Sequence, residues 1–199
     1  MKIARGLAVA ALLSVLAACA HPPQAEIDAA HSALDATMRN PDVITYAPDA
    51  LRRAQEKVNA LDEEVALQSK RPGLSRSYDA AAALAKEAAD LSARAATEAV
   101  AAKKQIADEA AGLVDVVTAA IPTFESKVWA ARRVPRIKLD VIAPLQLVPD
   151  QARAAVENAR KDIASGAYAA AKARLMAVKD QLSSCEETIT EQTRIARGR

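Results

Sequence analysis

One stretch of the chain constrains its fold more than any other: residues 73–121 contain no proline and are rich in alanine. Alanine has the highest helix propensity of the amino acids. Apolar residues recur in this stretch every three or four positions, and four of them repeat every 11 positions: Leu84, Ala95, Ile106 and Val117. Such a repeat keeps one apolar stripe on a nearly straight helix. The sequence therefore predicts one very long helix over about 75–120.

Shorter helices are predicted on both sides of this one. An apolar stripe over 27–38 indicates a first helix. Pro48-Asp49 and Pro149-Asp150 mark two further helix starts, because proline is tolerated in the first turn and an acidic side chain is favourable there. Ser165-Gly166 predicts a helix end. Two apolar seams have heptad spacing. The first follows Pro48 and contains Leu51, Ala54, Val58, Leu61 and Val65. The second follows Gly166 and contains Tyr168, Ala171, Leu175, Val178, Leu182, Cys185 and Ile189.

Four prolines divide the segment between the predicted hairpins, at positions 122, 135, 144 and 149. Its later part, 137–148, begins with alternating apolar residues and then becomes almost wholly apolar, so we expect an extended crossover that covers one end of a bundle.

The predicted fold class is all-α, with elongated antiparallel helical hairpins or a bundle, coiled-coil-like seams, one very long helix (about 75–120) and a proline-rich crossover (about 121–149). Only 3% of the residues are aromatic and only five are glycine, which also disfavours strands. The predicted segments are a signal peptide (1–18), a lipidated Cys with its tether (19–24), a first helical hairpin region (25–121), a connector (122–149), a second helical hairpin (150–195) and a basic tail (196–199).

The first residues resemble a bacterial lipoprotein signal. Lys2 and Arg5 are followed by an apolar stretch over 7–16, which is too short to cross a bilayer core of about 30 Å. Leu16-Ala17-Ala18-Cys19 then resembles a lipobox. This resemblance implies cleavage before Cys19 and acylation of Cys19, and two or more acyl chains hold a protein stably on a membrane.

The same resemblance implies a location in the cell envelope. Ala20 stands where an aspartate would commonly signal retention in the inner membrane, which favours the periplasmic face of the outer membrane. Only Cys185 remains once Cys19 is acylated, so no disulfide within the chain is expected.

The two predicted hairpins are similar in sequence. Pro-Asp-x-x-Arg-x-Ala-x-Glu occurs at 48–56 and again at 149–157, and a Tyr three positions before an Ala follows each copy, at 78 and at 168. Either a duplication or a shared packing solution would produce this pattern. The segment APDALRRAQEKV at 47–58, with the lipobox before it and the Ala-rich helix after it, resembles uncharacterised bacterial envelope lipoproteins grouped as domain of unknown function 4398. That resemblance implies helical hairpins and no catalytic residues.

The charge balance argues against nucleic-acid binding. Of the 27 basic residues, Lys2 and Arg5 lie in the predicted signal, so the mature chain has as many basic residues as its 25 acidic ones. Neutral chains lack the general attraction to phosphate backbones. Two local basic clusters remain, and both are interpreted as solvated surface: Arg132, Arg133, Arg136 and Lys138 in one, and Arg194, Arg197 and Arg199 in the other.

No motif predicts catalysis, a metal site or a cofactor. The sequence has two histidines, His21 and His31, and no Cys/His cluster at metal-binding spacing. We therefore expect a structural or adaptor lipoprotein that contacts an envelope protein or peptidoglycan. A stress-related, chaperone-like protein that holds clients on exposed helical seams is the alternative.

Two features predict contacts of the mature protein with other molecules. The region with the only Phe and Trp is predicted either to dock a partner or to pack in the chain's own core, and its named residues are Phe124, Trp129, Ile137, Leu139 and Val141. Helical seams could also join two copies of the chain. In that case Cys185 could form an intermolecular disulfide, and its position in a seam favours instead a buried, unreactive thiol.

Overall fold

The computed structural model describes residues 21–198, and the described chain is all-α, as predicted, without a strand. The predicted signal peptide and Cys19 lie outside the described residues. Within residues 21–198 seven α-helices follow one another: α1 Gln24–Met38, α2 Pro41–Tyr46, α3 Pro48–Ser69, α4 Asp79–Arg132, α5 Leu139–Leu145, α6 Val148–Ala164 and α7 Tyr168–Arg197. A 3-10 turn, Gly73–Ser75, lies between α3 and α4.

The predicted helix boundaries are correct where local chemistry determines them. Pro48 opens α3 with Asp49 in the first turn, and Pro149 lies in the first turn of α6. Gly166 has a φ of +82°, a left-handed conformation that glycine adopts without steric cost, so it ends the α6 region as predicted.

Helix α4 is longer than predicted, because it continues through Pro122 to Arg132. Proline in a helix interior removes a backbone hydrogen bond and costs about 3 kcal/mol. Ile121, Phe124 and Val128 lie on both sides of the proline and are all buried on one face. Burial of one such side chain contributes about 1.5–3 kcal/mol, so their packing together offsets the cost.

The extended crossover predicted over 137–148 is wrong. Helix α5 forms there instead, with Ile142 and Leu145 buried one turn apart. The alternation of Ile137, Leu139 and Val141 therefore does not reflect a strand. The structure also contains the short helix α2, which was not predicted, and Asn40 caps it by accepting a hydrogen bond from the Asp42 amide at 3.0 Å.

The chain divides into two compact units, and the division falls within α4 and not in the proline-rich connector. Unit 1 is Met1–Ala102 and unit 2 is Lys103–Arg199. In the described residues, unit 1 comprises α1, α2, α3 and the first part of α4. Unit 2 comprises the rest of α4 with α5, α6 and α7.

Unit 1 is built around small side chains. The buried positions of α4 in this unit are all alanine or serine: Ala81, Ala85, Ala88, Ser92, Ala95 and Ala99. Helices α1 and α3 bring larger residues to the same core, among them Leu34 and Leu61. Two ion pairs join α3 to α4 in antiparallel order: Arg53 with Glu98 at 3.0 Å and Lys57 with Glu87 at 3.0 Å.

Unit 2 has a core of larger residues. Helix α4 contributes Ala110, Val114, Val117, Ile121, Phe124, Val128 and Ala131, and α7 contributes Ala171, Leu175, Val178, Leu182 and Ile189. Glu109 of α4 pairs with Lys172, and Lys127 pairs with Glu186 further along both helices, so α4 and α7 run parallel in this unit. Helix α6 forms an antiparallel hairpin with α7, which Arg174 and Asp162 join at 3.2 Å.

The 11-residue stripe predicted on α4 is correct only in part. Ala95 and Val117 are buried, whereas Leu84 and Ile106 are only half-buried. Within each unit the buried positions of α4 follow spacings of three and four residues, and the alternation shifts between Ala99 and Ala110. A heptad seam is the pattern that packs a helix along its neighbours.

Candidate interaction surface

The predicted docking residues do not form one surface, because the structure places them in different environments. Phe124 is completely buried in the core of unit 2. Ile137 is half-buried and packs against the same core, and Val141 is also half-buried. Trp129 and Leu139 are exposed, with 60% and 69% of the residue surface accessible to solvent. Phe124 therefore stabilises the fold, and only the exposed residues remain available for docking.

Trp129 lies on the outer face of α4 near its end. The guanidinium carbon of Arg133 lies 4.6 Å from the centroid of the indole ring, in a cation–π contact one helical turn further on. On its other side Trp129 borders a groove of about 420 Å³ that Gln146 and Pro149 also line. Trp129 therefore lies at a groove between α4 and the start of α6 and remains exposed.

The two basic clusters noted in the sequence meet at one end of unit 2, except for Arg199, which lies outside the described residues. Because α4 and α7 run parallel, the ends of both helices lie side by side. One groove of about 500 Å³ is lined by residues just beyond α4 and by the last turn of α7, including Arg133, Arg136 and Arg197. We name this surface the basic end and define it by Arg132, Arg133, Arg136, Lys138, Arg194 and Arg197.

Most cations of the basic end have no carboxylate partner. Arg194 is the exception: its guanidinium donates to Glu191 at 2.7 Å, which raises the pKa of Arg194 and lowers that of Glu191. In the described part of the chain, Arg132, Arg133, Arg136, Lys138 and Arg197 form no ion pair. Asp140 is the only acidic residue between Glu125 and Asp150.

A second groove lies beside the basic end, between α4 and α7. It has a volume of about 530 Å³, and its floor contains Ala131, Val134 and Ile189. Lys127 lies at its edge and donates to Glu186 at 2.6 Å. This groove is mainly apolar, and two of its cations, Lys127 and Arg194, are already paired within the chain.

Cys185 is half-buried and packs against the core of unit 2. Burial raises the pKa of its thiol, which disfavours the reactive thiolate. This environment fits the predicted unreactive thiol. The intermolecular disulfide at Cys185 stays a prediction.

His31 joins two helices of unit 1. Its Nε2 lies 2.9 Å from Oδ1 of Asp62, so the side chain links α1 to α3 at the surface. Within residues 21–198 no group of His, Cys, Asp and Glu side chains is arranged to hold a metal ion. None of the described helices is both long and apolar enough to cross a membrane.

The helical seams that a chaperone-like protein would expose are buried in the two cores. The large apolar side chains that do remain exposed among the described residues are spread along the chain, such as Leu74, Val100 and Met176. Scattered exposed apolar residues are ordinary for a folded protein. The chaperone-like alternative stays a prediction.

Comparison with known proteins identifies no relative: no family profile, curated protein or solved structure matches the chain. The resemblance to domain of unknown function 4398 stays a prediction.

The sequence identified the residues of the basic end but did not indicate that they lie close together. Residues 132–138 and 194–197 are about sixty positions apart, and only the parallel arrangement of α4 and α7 brings them together. The one available signal was that neither cluster contains an acidic residue, so neither can be neutralised locally.

Proposed function

We propose that this chain is an exported, lipid-anchored adaptor of the bacterial cell envelope, without catalytic activity. Its lipid would be attached to Cys19, and the protein would lie on the periplasmic face of the outer membrane. From there it would contact another envelope component, either a protein or peptidoglycan.

The basic end is the observation that carries this proposal. It lies beside exposed Trp129, and its arginines other than Arg194 have no carboxylate partner in the described chain. Exposed tryptophan and arginine are enriched at interaction hot spots, because both offer a large contact area and directional donors. A surface of this composition is available to a partner without any rearrangement of the core.

Acylation can be tested in the native host by labelling with radioactive palmitate. We expect the label on the wild-type chain and none on a Cys19→Ser variant, and fractionation should place the labelled chain with the outer membrane. A Cys185→Ser variant is the matched control and should keep the label. An intact Met1 terminus found by mass spectrometry would contradict the proposal.

Docking can be tested by site-specific photo-crosslinking from position 129. A photoreactive residue there should give crosslinked products in intact cells. The same residue at Met176, which is exposed on α7 of the same unit, is the control and should give none. Equal products from both positions would remove the basic end from the proposal.

A further inference from the structure

The basic end has more positive charge than its own helices require. A cation in the last turn of a helix stabilises the negative end of the helix dipole, which accounts for Arg132 in α4 and for Arg194 and Arg197 in α7. Arg133, Arg136 and Lys138 lie beyond the last residue of α4. Their charges therefore need another explanation.

Exposed apolar side chains accompany this surplus charge. Trp129 and Leu139 are exposed, and so is Leu147, which lies in sequence between two residues of the Trp129 groove. Tryptophan is enriched at the level of lipid headgroups, where its ring has one apolar and one polar environment. The stacking of Arg133 on the ring holds a cation beside this tryptophan.

The arrangement of these groups favours a lipid surface over an acidic protein helix. An amphipathic helix would need a long apolar groove, whereas the mainly apolar groove beside the basic end has only Ala130, Ala131, Val134 and Ile189 as apolar lining residues. Phosphates at a membrane surface can be contacted one by one, and guanidinium groups bind them through paired N–H donors. Clusters of Lys and Arg beside aromatic and aliphatic side chains are typical of interfacial binding.

We propose that the basic end binds the surface of an anionic phospholipid membrane, with Arg133, Arg136 and Arg197 on lipid phosphates and Trp129 among the headgroups. This inference rests on the proposed function in taking the basic end as the docking surface, and it names an anionic membrane, in place of a protein or peptidoglycan, as the envelope component that this surface contacts. It adds a second membrane contact to the one expected at Cys19, and it does not need Cys19 to be acylated.

Vesicle co-sedimentation of the full chain tests the charge contribution. We compare vesicles of phosphatidylcholine alone with vesicles of phosphatidylcholine and phosphatidylglycerol. Each Lys or Arg near an anionic surface contributes about fivefold in binding, so a variant with Arg133→Gln, Arg136→Gln and Arg197→Gln should lose on the order of a hundredfold. The loss should be confined to the anionic vesicles.

A matched variant controls for net charge and for the N-terminal segment. Arg94→Gln, Lys161→Gln and Lys179→Gln remove three exposed cations that lie outside the basic end. Since both triple variants keep the same residues 1–20, any difference between them arises from the basic end. We expect the control variant to bind within about twofold of the wild type. Equal binding of the two triple variants would overturn the proposal.

Trp129 supplies an independent readout, because it is the only tryptophan in the chain. Its emission should shift to shorter wavelength with anionic vesicles, and lipids brominated near the headgroup should quench it. Binding without either effect would place a different part of the chain on the membrane and overturn the proposal.

Two further experiments distinguish a lipid headgroup from free phosphate, and a membrane from a protein partner. Inorganic phosphate at the ionic strength of a chloride control should displace the protein no more than chloride does. Specific displacement by phosphate would instead indicate a small-anion site. A protein crosslinked at position 129 together with unchanged vesicle binding in the arginine variant would assign the basic end to a protein partner. Either result overturns the membrane contact, whereas palmitate labelling at Cys19 would remain unaffected.

Discussion

The two compact units use the same spacing of buried residues with side chains of different size. The buried residues of α4 in unit 1, from Ala81 to Ala99, and the seam of α7 in unit 2, from Ala171 to Ile189, coincide when the numbering is shifted by 90 positions. In unit 1 the members are alanine and serine, and in unit 2 most are Leu, Val or Ile. One register of a helix can therefore support two kinds of core.

This difference determines where each unit obtains its stability. Small seam residues let helices approach closely but bury little apolar area of their own, so the large residues of unit 1 come from α1 and α3. In unit 2 the seam of α7 and the facing positions of α4 both carry large side chains. Truncation of a buried side chain should therefore lower the free energy of unfolding most in the seam of α7. Enlargement of a buried side chain should lower it most in the first part of α4.

The largest effect is expected from Leu175→Ala in α7. Leu175 is fully buried, so its truncation should lower the free energy of unfolding of unit 2 by about 2–5 kcal/mol through lost burial and a residual cavity. Urea denaturation followed by Trp129 fluorescence measures it. Met176→Ala, at an exposed neighbouring position, should change stability by about 0.5 kcal/mol or less. Similar losses for both variants would contradict the assigned seam.

The equivalent position in unit 1 should respond to the opposite change. Ala85→Leu inserts a large side chain between close helices and should destabilise unit 1 by about 1–3 kcal/mol through overpacking. Hydrogen exchange of the α1 and α3 amides reports on this unit. The exposed Ala83→Leu is the control and should leave exchange unchanged. Tolerance of Leu at position 85 would mean that the two seams pack alike.

Pro122→Ala tests how α4 accommodates its proline in unit 2. The side chain of Pro122 is exposed, so the substitution restores a backbone hydrogen bond without loss of core packing. We expect a gain of about 1–3 kcal/mol, between the usual net value of one such bond and the full cost of an interior proline. Slower hydrogen exchange of the amides around position 122 should accompany the gain. A loss of stability would mean that a bend at Pro122 is needed by the core.

The smallest effect concerns the ion pair between Glu109 and Lys172, which joins α4 to α7 in unit 2. The hydrogen bond from Lys172, followed by that from Gln105, lowers the pKa of Glu109. A carboxyl whose folded pKa lies below its unfolded pKa stabilises the fold above the unfolded value, and this contribution is lost as the pH falls through the folded value. Acidification through and below the ordinary titration range of a glutamate should therefore destabilise the wild type.

Lys172→Gln should reduce this acid dependence, because it removes the largest cause of the lowered pKa. Thermal unfolding at several pH values measures the difference. Lys179→Gln, on the same helix and without an ion pair in the described residues, is the control. The same acid profile in wild type and Lys172→Gln would exclude the pair as a source of stability.

The sequence by itself determined five of the seven described helices, all except α2 and α5, because their signals are local. Proline with aspartate in a first turn opened α3 and α6, and Gly166 ended the α6 region through its positive φ. The seam of α7 was predicted correctly at Ala171, Leu175, Val178, Leu182 and Ile189. Helix propensity and apolar spacing act within a few residues, so a reading along the chain can recover them.

Packing decided what local signals could not. Burial of Ile121, Phe124 and Val128 carries α4 past a proline that by local rules should end it, and the core of unit 2 turns the predicted crossover into α5. Packing also gives two aromatic residues five positions apart opposite environments: Phe124 is buried and Trp129 is exposed. The basic end exists because parallel helices bring remote arginines together. Such contacts depend on which helices become neighbours, and that is settled only when the cores assemble.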